Sequence, residues 1–555
     1  MKTYPKNSTW YVCCAIAASI AVGCVVVGCN QNSSAIGVFG PATIIVPVTQ
    51  TTDDEEKSDD EKSDEKDKGR KYRSDKKFPE PSELIKNWEK PHFALFITGR
   101  QHGYIEPCGC TGLDRQKGGL MRRHSCQQEF LSRGWNLICI DAGNQIKRFG
   151  QQPAIKLRHT YNSLCGIMKY DAIGFGVDDL KMPTIDLLQT VANVVGNDNP
   201  FISANVDIMG AEMQKPFKIV ERGGKKVGIV NALSDKFIAQ IKGNTDLNLK
   251  SAADGISAAL PQIQNCNMKV LILQTSEPEE ATAMAKRFPY FDVMVATTSA
   301  GEPTMLPQMV SANQHTTQII QVGLKGMYVG MVGYYEKNGK KEIKYKRVPL
   351  DARFKDSKPV EKVFAAYQRE LKQLYESGNL ADVKPKTHPS SYTYVGSEAC
   401  MECHADEYEI WEDGVDGDGG PHFDATESIV KPPNERGNIP RHYDPECLSC
   451  HATGWNPQGY YPYKTGFKDL KKDAHLVANG CENCHGPGSA HVEIEQLRNK
   501  KRPFDKNKRQ ALLQFVKLTV EEAEKNHCKQ CHDLDNSPDF LKEGAFQEYW
   551  EKIEH

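Results

Sequence analysis

Gly480-Cys481-Glu482-Asn483-Cys484-His485-Gly486 decides how the last third of this chain is built. Two thiols three positions apart can each form a thioether to one edge of a haem, and the imidazole that follows then falls on the iron as its proximal ligand. The same Cys-x-x-Cys-His spacing recurs at Cys400-Cys403-His404, Cys447-Cys450-His451 and Cys528-Cys531-His532. Zinc competes for Cys-x-x-Cys, but a zinc ribbon does not demand a histidine directly after the second cysteine every time. The four copies predict four covalently attached c-type haems, with His404, His451, His485 and His532 as proximal ligands.

The distal side is argued from what is missing. From residue 392 onward the only methionine is Met401, inside the first attachment loop, so a thioether sixth ligand is not expected. The same stretch holds His422, His442, His475, His491, His527 and His555, and neutral imidazole is the natural alternative. The first choices are His422, His491 and His555, with His442 next; steric reasoning makes a hydrogen-bonded role for His527, beside Cys528, as reasonable as ligation.

So many haems in a short segment leave little room for a side-chain core, and porphyrin and thioethers take over part of its work. Short helices and much loop are expected. Helical runs open at Ser397 and continue through Ala405 to Trp411, open again over Val520 to Glu524, and close the chain over Glu543 to Ile553. Gly417 to Pro421 and Asn456 to Gly459 read as loops.

Tyr394-Val395-Gly396-Ser397, Asp444-Pro445-Glu446-Cys447, Gly480 through His491 and Tyr549-Trp550 to His555 resemble the multihaem cytochrome c family that includes the tetrahaem electron carrier of ammonia-oxidising bacteria. The resemblance covers nearly all of residues 392–555. It implies closely stacked haem pairs, electron transfer, mostly bis-His iron with room for one five-coordinate haem, and distal positions at His491 and His555.

Haem is attached outside the cytoplasm, so an export signal is expected over residues 1–29. Lys2 and Lys6 precede an apolar stretch from Trp10 to Gly28, and Val26-Val27-Gly28-Cys29 resembles a lipoprotein cleavage box, which would anchor the mature chain through lipidated Cys29. An uncleaved anchor helix is the alternative, and Cys24 a weaker cleavage point. Residues 30–87 form a charged linker whose stretch from Thr51 to Lys77 is dense in Asp, Glu and Lys and poor in apolar residues, which reads as a tether. The formal net charge of −2 gives no case for nucleic-acid binding.

Residues 88–388 carry an α/β pattern. Buried strands are expected at His92–Ile97, Asn136–Ile140, Lys226–Val230, Lys269–Leu273 and Asp292–Ala296, with a hairpin turning at Asn338-Gly339. Thr98-Gly99-Arg100-Gln101-His102-Gly103, Gly118 to Arg123, Asp141-Ala142-Gly143-Asn144, Tyr170 to Gly176 and Ile202 to Val206 resemble the calcineurin-like metallophosphoesterases of the 5'-nucleotidase type, which also include a sulfur-oxidation thiosulfohydrolase. That resemblance implies a four-layer sandwich with a dinuclear metal centre at the strand ends. The ligands do not carry over: Arg100 stands at the Asp place, Asn144 at the bridging Asp, and Gly176-Val177-Asp178-Asp179 replaces the amide ligand and catalytic histidine. Arg100 would also repel a divalent cation.

At that same edge lies Cys108-Gly109-Cys110. With His102 it could bind a soft metal such as copper or zinc. It could be a redox-active thiol pair, or it could pair structurally with Cys126, Cys139, Cys165 or Cys266. The fold class expected is therefore multidomain: a four-layer α/β metallophosphoesterase-like sandwich, then a small, mainly α, loop-rich tetrahaem domain at 389–555. The leading function is a lipid-anchored electron carrier that meets a redox partner protein. The alternatives are an oxidoreductase on a small sulfur or nitrogen compound, using an open haem or Cys108 and Cys110, and a surviving metal-dependent hydrolase.

Overall fold

The computed structural model describes residues 80–555, apart from 108–115, 149, 195–197, 211–212, 299–300, 379–382, 418, 433–436 and 534–535. The expected export signal with Cys29, most of the tether, and the Cys108/Cys110 pair lie outside the described residues.

One six-stranded sheet comprises β1 (Phe93–Thr98), β2 (Leu137–Asp141), β3 (Ala172–Gly174), β4 (Phe201–Ile202), β13 (Tyr328–Lys337) and β14 (Lys340–Pro349). Its strands run in the order β14-β13-β1-β2-β3-β4. The strands from β1 to β4 are parallel, and the β13/β14 hairpin adds antiparallel to β1. β5 (Val206–Ile208) and β8 (Leu247–Leu249) make a small antiparallel ribbon. The second six-stranded sheet comprises β6 (Phe217–Arg222), β7 (Lys225–Leu233), β9 (Met268–Gln274), β10 (Val293–Ala296), β11 (Gln308–Ala312) and β12 (His315–Gln321), in the order β11-β12-β10-β9-β7-β6. The hairpin turns at Asn338 and Gly339, both with positive φ, as the Asn-Gly pair predicts.

Alternation along β1 divides the domain into layers, because successive strand residues face opposite sides. Phe93, Leu95 and Ile97 point between the sheets, where Ile138, Ile140, Ile229, Ile272 and Val295 meet them. Ala94 and Phe96 face the other way. They pack under α1 (Leu120–Ser132), α2 (Gln151–Tyr161), α3 (Thr184–Val194) and α7 (Lys358–Glu376), through Phe130, Leu157, Val191 and Phe364. α4 (Asp235–Ile241) adds Ile241 to that core. α5 (Ala252–Ile263) and α6 (Pro278–Arg287) cover the far face of the second sheet with Ile256, Ile263 and Ala281. The result is the expected four-layer α/β/β/α sandwich. Each fully buried Ile or Phe contributes about 1.5–3 kcal/mol.

The C-terminal region is built from short pieces: α8 (Glu398–Met401), α9 (Ala405–Asp413), α10 (Glu427–Val430), α11 (Pro445–His451), the ribbon β15 (Trp455–Asn456) and β16 (Tyr461–Pro462), α12 (Cys481–His485), α13 (Ser489–Asn499), α14 (Lys506–Phe515), α15 (Val520–Glu522) and α16 (Ala545–Trp550). Its two apolar clusters are small, one around Leu448, Trp455 and Phe467 and one around Ile494 and Leu512. Two helices differ from expectation. The run from Val520 widens into a π turn over Ala523–His527 before the last motif, and the terminal helix starts at Ala545 because Gly544 adopts a left-handed conformation.

Contacts cross the expected 388/389 boundary. Asp444 is buried and caps α11, accepting from the Glu446 amide, while Tyr367 donates to its Oδ2 at 2.9 Å and Gln368 at 3.1 Å. Glu446 meets Lys156 at 2.5 Å and also Arg148, whose guanidinium lies over Tyr460. Arg441 makes a two-point pair with Glu106, at 2.9 and 2.8 Å. The helix that carries the second motif is thus latched at its N-terminus to α2 and α7. Tyr367→Phe removes one donor from the buried Asp444 carboxylate, and full-chain stability should fall by about 1–3 kcal/mol in thermal or denaturant unfolding.

Candidate functional site

Each attachment motif sits at the start of a helix or in a single turn, which presents the two cysteines on one side and the histidine just beyond. α11 and α12 hold the second and third in full, while α8 and a 3₁₀ turn at Cys528–Gln530 start the first and fourth. The motifs then meet in a definite order. Cys400 of the first stands beside Cys481 of the third, and Cys450 of the second beside Cys531 of the fourth. The thiol of Cys484 also feels Cys528, which joins the third motif to the fourth. The spatial order is first, third, fourth, second.

Four imidazoles form two facing pairs. The ring centroids of His422 and His532 are 6.3 Å apart, and those of His485 and His555 are 6.0 Å apart. An iron held by two ring nitrogens at roughly 2 Å each places the centroids about 6 Å apart, so both gaps fit a metal. Three of these four have a partner on Nδ1, and so does His451 outside the pairs. Nδ1 of His485 lies 2.8 Å from the Val516 carbonyl, that of His555 2.8 Å from Ile553 O, and that of His451 2.6 Å from Ala425 O, while that of His532 is 3.2 Å from Ser537 Oγ. A hydrogen bond at Nδ1 fixes the tautomer and leaves Nε2 to bind metal. Burial lowers His422 and His532 to about 4, which keeps both neutral and their lone pairs available. These residues therefore fit haem iron, which when bound supplies one-electron storage and transfer.

The remaining histidines are placed differently. His491, at the start of α13, has a buried Nδ1 without a partner and senses the charge of His404. His442 packs on Tyr443 beside Lys372 and the Ile429 backbone, and its Nδ1 is buried without a partner, as that of His491 is. His475 is exposed, and His527 is hydrogen-bonded through Nε2 to Asn483 O at 2.9 Å. Among the described residues, His451 forms no facing ring pair like the other two. Sequence reasoning missed Glu482, inside the third motif. It is buried and accepts amides from Val395, Gly396 and Gly488 at 2.7–3.0 Å, tying the approach to the first motif onto the third.

At the strand ends of the α/β domain, the loops after β1 and β2 zip together: Arg100 N donates to Gly143 O at 2.7 Å and Gly103 N to Gln145 O at 2.6 Å. Arg100, His102 and Asn144 all have positive φ, a conformation uncommon outside glycine. A Cβ at Gly176 would fall 2.1 Å from Asn144 Oδ1, so the approach of the two loops requires glycine there. Arg100 donates to the Thr298 carbonyl, and burial lowers its pKa to about 10 against the opposing influence of Asp178.

The carboxylates at this edge are committed to the protein itself. Asp179 accepts the amides of Asn144, Gln145 and Gly176 at 2.7–2.9 Å, and burial still pushes its pKa up to about 7. Asp141 is fully buried, paired with Arg123 at 2.9 Å and bonded by Thr98 at 2.7 Å. Neither role was read from the sequence; the signal available was a pair of arginines, Arg122 and Arg123, in the first turn of a helix that opens on Leu120 and Met121. Among the described residues, no group of three or more His, Cys, Asp or Glu is arranged to hold a metal ion. His102 is half-buried. Cys126, Cys139, Cys165 and Cys266 are free thiols, while Cys108 and Cys110, the partners expected for one of them, lie outside the described residues. Burial pushes Cys139 and Cys165 up to about 12, so both are inert, and Cys139 instead accepts from Gln127 at 3.1 Å.

Residues 399–486 match the family described as cytochrome c554 and c-prime. Cytochrome c-554 of Nitrosomonas europaea is 26% identical over 103 residues, 17% of this chain and 39% of the relative. Among solved structures, a 5'-nucleotidase precursor from Thermus thermophilus is similar at 18% identity and TM-score 0.43, over 51% of this chain and 60% of the other. The sulfate thiohydrolase SoxB of the same organism is similar at 12% identity and TM-score 0.42, over 51% and 61%. This chain spans less than two thirds of each of these proteins. The C-terminal region carries a cytochrome c554-type segment, a family that binds c-type haem covalently and transfers electrons.

Proposed function

We propose that this chain is an exported, membrane-tethered electron-transfer protein with four c-type haems, in which the α/β domain docks a partner or positions a substrate and no longer hydrolyses phosphoesters. The observation that carries it is the pair of imidazole gaps, 6.3 and 6.0 Å, each between an attachment-motif histidine and a histidine distant in sequence. Haems spaced along motifs in the order first, third, fourth, second make a wire with one end at the latch on the α/β domain. Attachment through Cys400, Cys403, Cys447, Cys450, Cys481, Cys484, Cys528 and Cys531 belongs to this proposal, as does anchoring through a lipidated Cys29. No described helix is long and apolar enough to cross a membrane.

Loss of hydrolase chemistry is supported by the residues themselves. Arg100 occupies the metal edge, Asn144 stands at the bridging position, and Asp141 and Asp179 are spent on an arginine and on backbone amides. Purified protein with stoichiometric manganese, zinc or non-haem iron and phosphatase turnover would overturn this part.

A second reading is favoured by His404 and His451, neither of which has a facing ring among the described residues. An open haem at either motif would make the chain an oxidoreductase on a small sulfur or nitrogen compound. Pyridine haemochrome counting with low-temperature EPR decides between the two. Four haems, all low-spin, establish a carrier. One high-spin haem that binds cyanide or nitric oxide establishes a site for chemistry.

A further inference from the structure

Haem attachment fixes two cysteines and a histidine and leaves the two residues between the cysteines free. In the first and fourth motifs those residues, Met401, Glu402, Lys529 and Gln530, are exposed. In the second, Leu448 packs into an apolar cluster and Ser449 donates to Glu446 O in its own helix at 3.1 Å. The third motif differs. Its Glu482 is 3% exposed and accepts Val395 N at 3.0 Å and Gly396 N at 2.7 Å, from the segment that leads into the first motif. The Cys481 amide donates to Ser397 Oγ of that same segment at 3.1 Å.

Asn483 serves the other two motifs. Its Oδ1 accepts from Gly454 N at 2.9 Å and its Nδ2 donates to Ala452 O at 3.1 Å, both in the segment that follows His451 of the second motif. Its carbonyl accepts from Nε2 of His527, the residue before Cys528 of the fourth motif, at 2.9 Å. Two residues that attachment does not need thus hold the third motif against segments flanking the other three. An apolar side chain would serve adhesion alone, as Leu448 does, without the cost of burying a carboxylate. Hydrogen bonds fix distance and direction more narrowly than apolar contact does. Each haem is held to its own cysteine pair, so the spacing of the pairs sets the spacing of the haems, and electron transfer falls off exponentially with the separation of haem edges.

We propose that Glu482 and Asn483 are positioning residues for electron transfer: Glu482 sets the distance between the first and third haems, and Asn483 sets the distance of the third haem from the fourth and second. This rests on the reading of the chain as a haem carrier. In each transfer one electron passes from a ferrous haem to its ferric neighbour, and the two exchange oxidation states; no bond forms or breaks. The third haem is then the branch of the array whose spacing to every other haem is written in its own attachment loop.

The test uses the full-length, haem-loaded protein. Low-temperature EPR of oxidised samples reads the magnetic interaction between neighbouring haems, and flash reduction by photoreduced riboflavin reads how fast an injected electron redistributes. His555→Ala and His422→Ala proteins mark the signals of the third and fourth haems. Glu482→Ala should weaken the interaction of the first haem with the third and leave that of the second with the fourth. Asn483→Ala should weaken the interaction of the third haem with the fourth and leave that with the first. Each should slow redistribution at least about ten-fold, with the haem count unchanged. Glu482→Gln, which keeps one acceptor oxygen, and Ser397→Ala, which removes a neighbouring contact without touching a charge, should show the same haem-selective weakening in smaller measure; they decide the matter if Glu482→Ala loads no haem. Haem-loaded variants with the parental interactions and redistribution rate, or with an equal loss at every haem, overturn the proposal and leave the carrier reading intact. A parent chain whose pyridine haemochrome shows no haem overturns the carrier reading and the proposal with it.

Discussion

Replacing Arg123 by methionine should destabilise the chain by about 3–5 kcal/mol, the cost of leaving a buried charge without its partner. Both members of the Arg123–Asp141 pair are fully buried, and Asp141 sits at the C-terminal end of β2, between the two loops of the strand-end site. Methionine fills similar volume but supplies no donor, so Asp141 keeps only Thr98, Gln145 and the Gly143 amide. The double variant Arg123→Met/Asp141→Asn should recover much of the loss, because no ion is then buried alone. Denaturant unfolding of the two variants and the parent gives the comparison. An Arg123→Met protein as stable as the parent would mean that Asp141 is already neutral in the fold.

Replacing His422 or His555 by alanine should each turn one low-spin haem into a high-spin, ligand-accessible one while leaving the haem count unchanged. Each faces a motif histidine across a gap of iron-holding width, and neither contributes a thioether. The change is all-or-none for that haem, read as a new high-spin EPR signal and as cyanide binding. His527→Ala is the matched control. Its Nε2 is committed to Asn483 O, so the spin states should stay as in the parent. A parent with fewer than two low-spin haems would leave at least one of the pairs without support.

What could be read in the linear chain follows from the range of each interaction. The attachment motifs are local, because thioether geometry needs only five consecutive residues, and the strands of the sandwich are local too, as runs such as Leu137–Asp141 are buried on both faces and carry no polar residue until their last. The hairpin at Asn338-Gly339 is specified by two residues. Distal ligands are not local. His422 meets His532 and His485 meets His555 only after α13 to α16 have folded back, so composition narrowed the field to six histidines without assigning partners. His442 reads as well as the others in sequence, and its surroundings, Tyr443, Lys372 and Ile429, give it no assignment. The Asp444 and Glu446 contacts were equally invisible, since their donors, Gln152, Lys156, Tyr367 and Gln368, come from helices that show only an apolar stripe.

Haem is joined to cysteines in an unfolded or partly folded chain, and the latch on α11 closes directly beside Cys447. The two events are therefore competitors in time. The α/β domain emerges first during synthesis and can present a finished surface before the second motif has been made, so docking of Asp444 and Glu446 too early would bury an attachment site still waiting for its porphyrin. A latch assembled from several modest polar contacts, able to open and close, suits that race better than an apolar seam would. Tightening it by design should improve the mature protein at the expense of its yield.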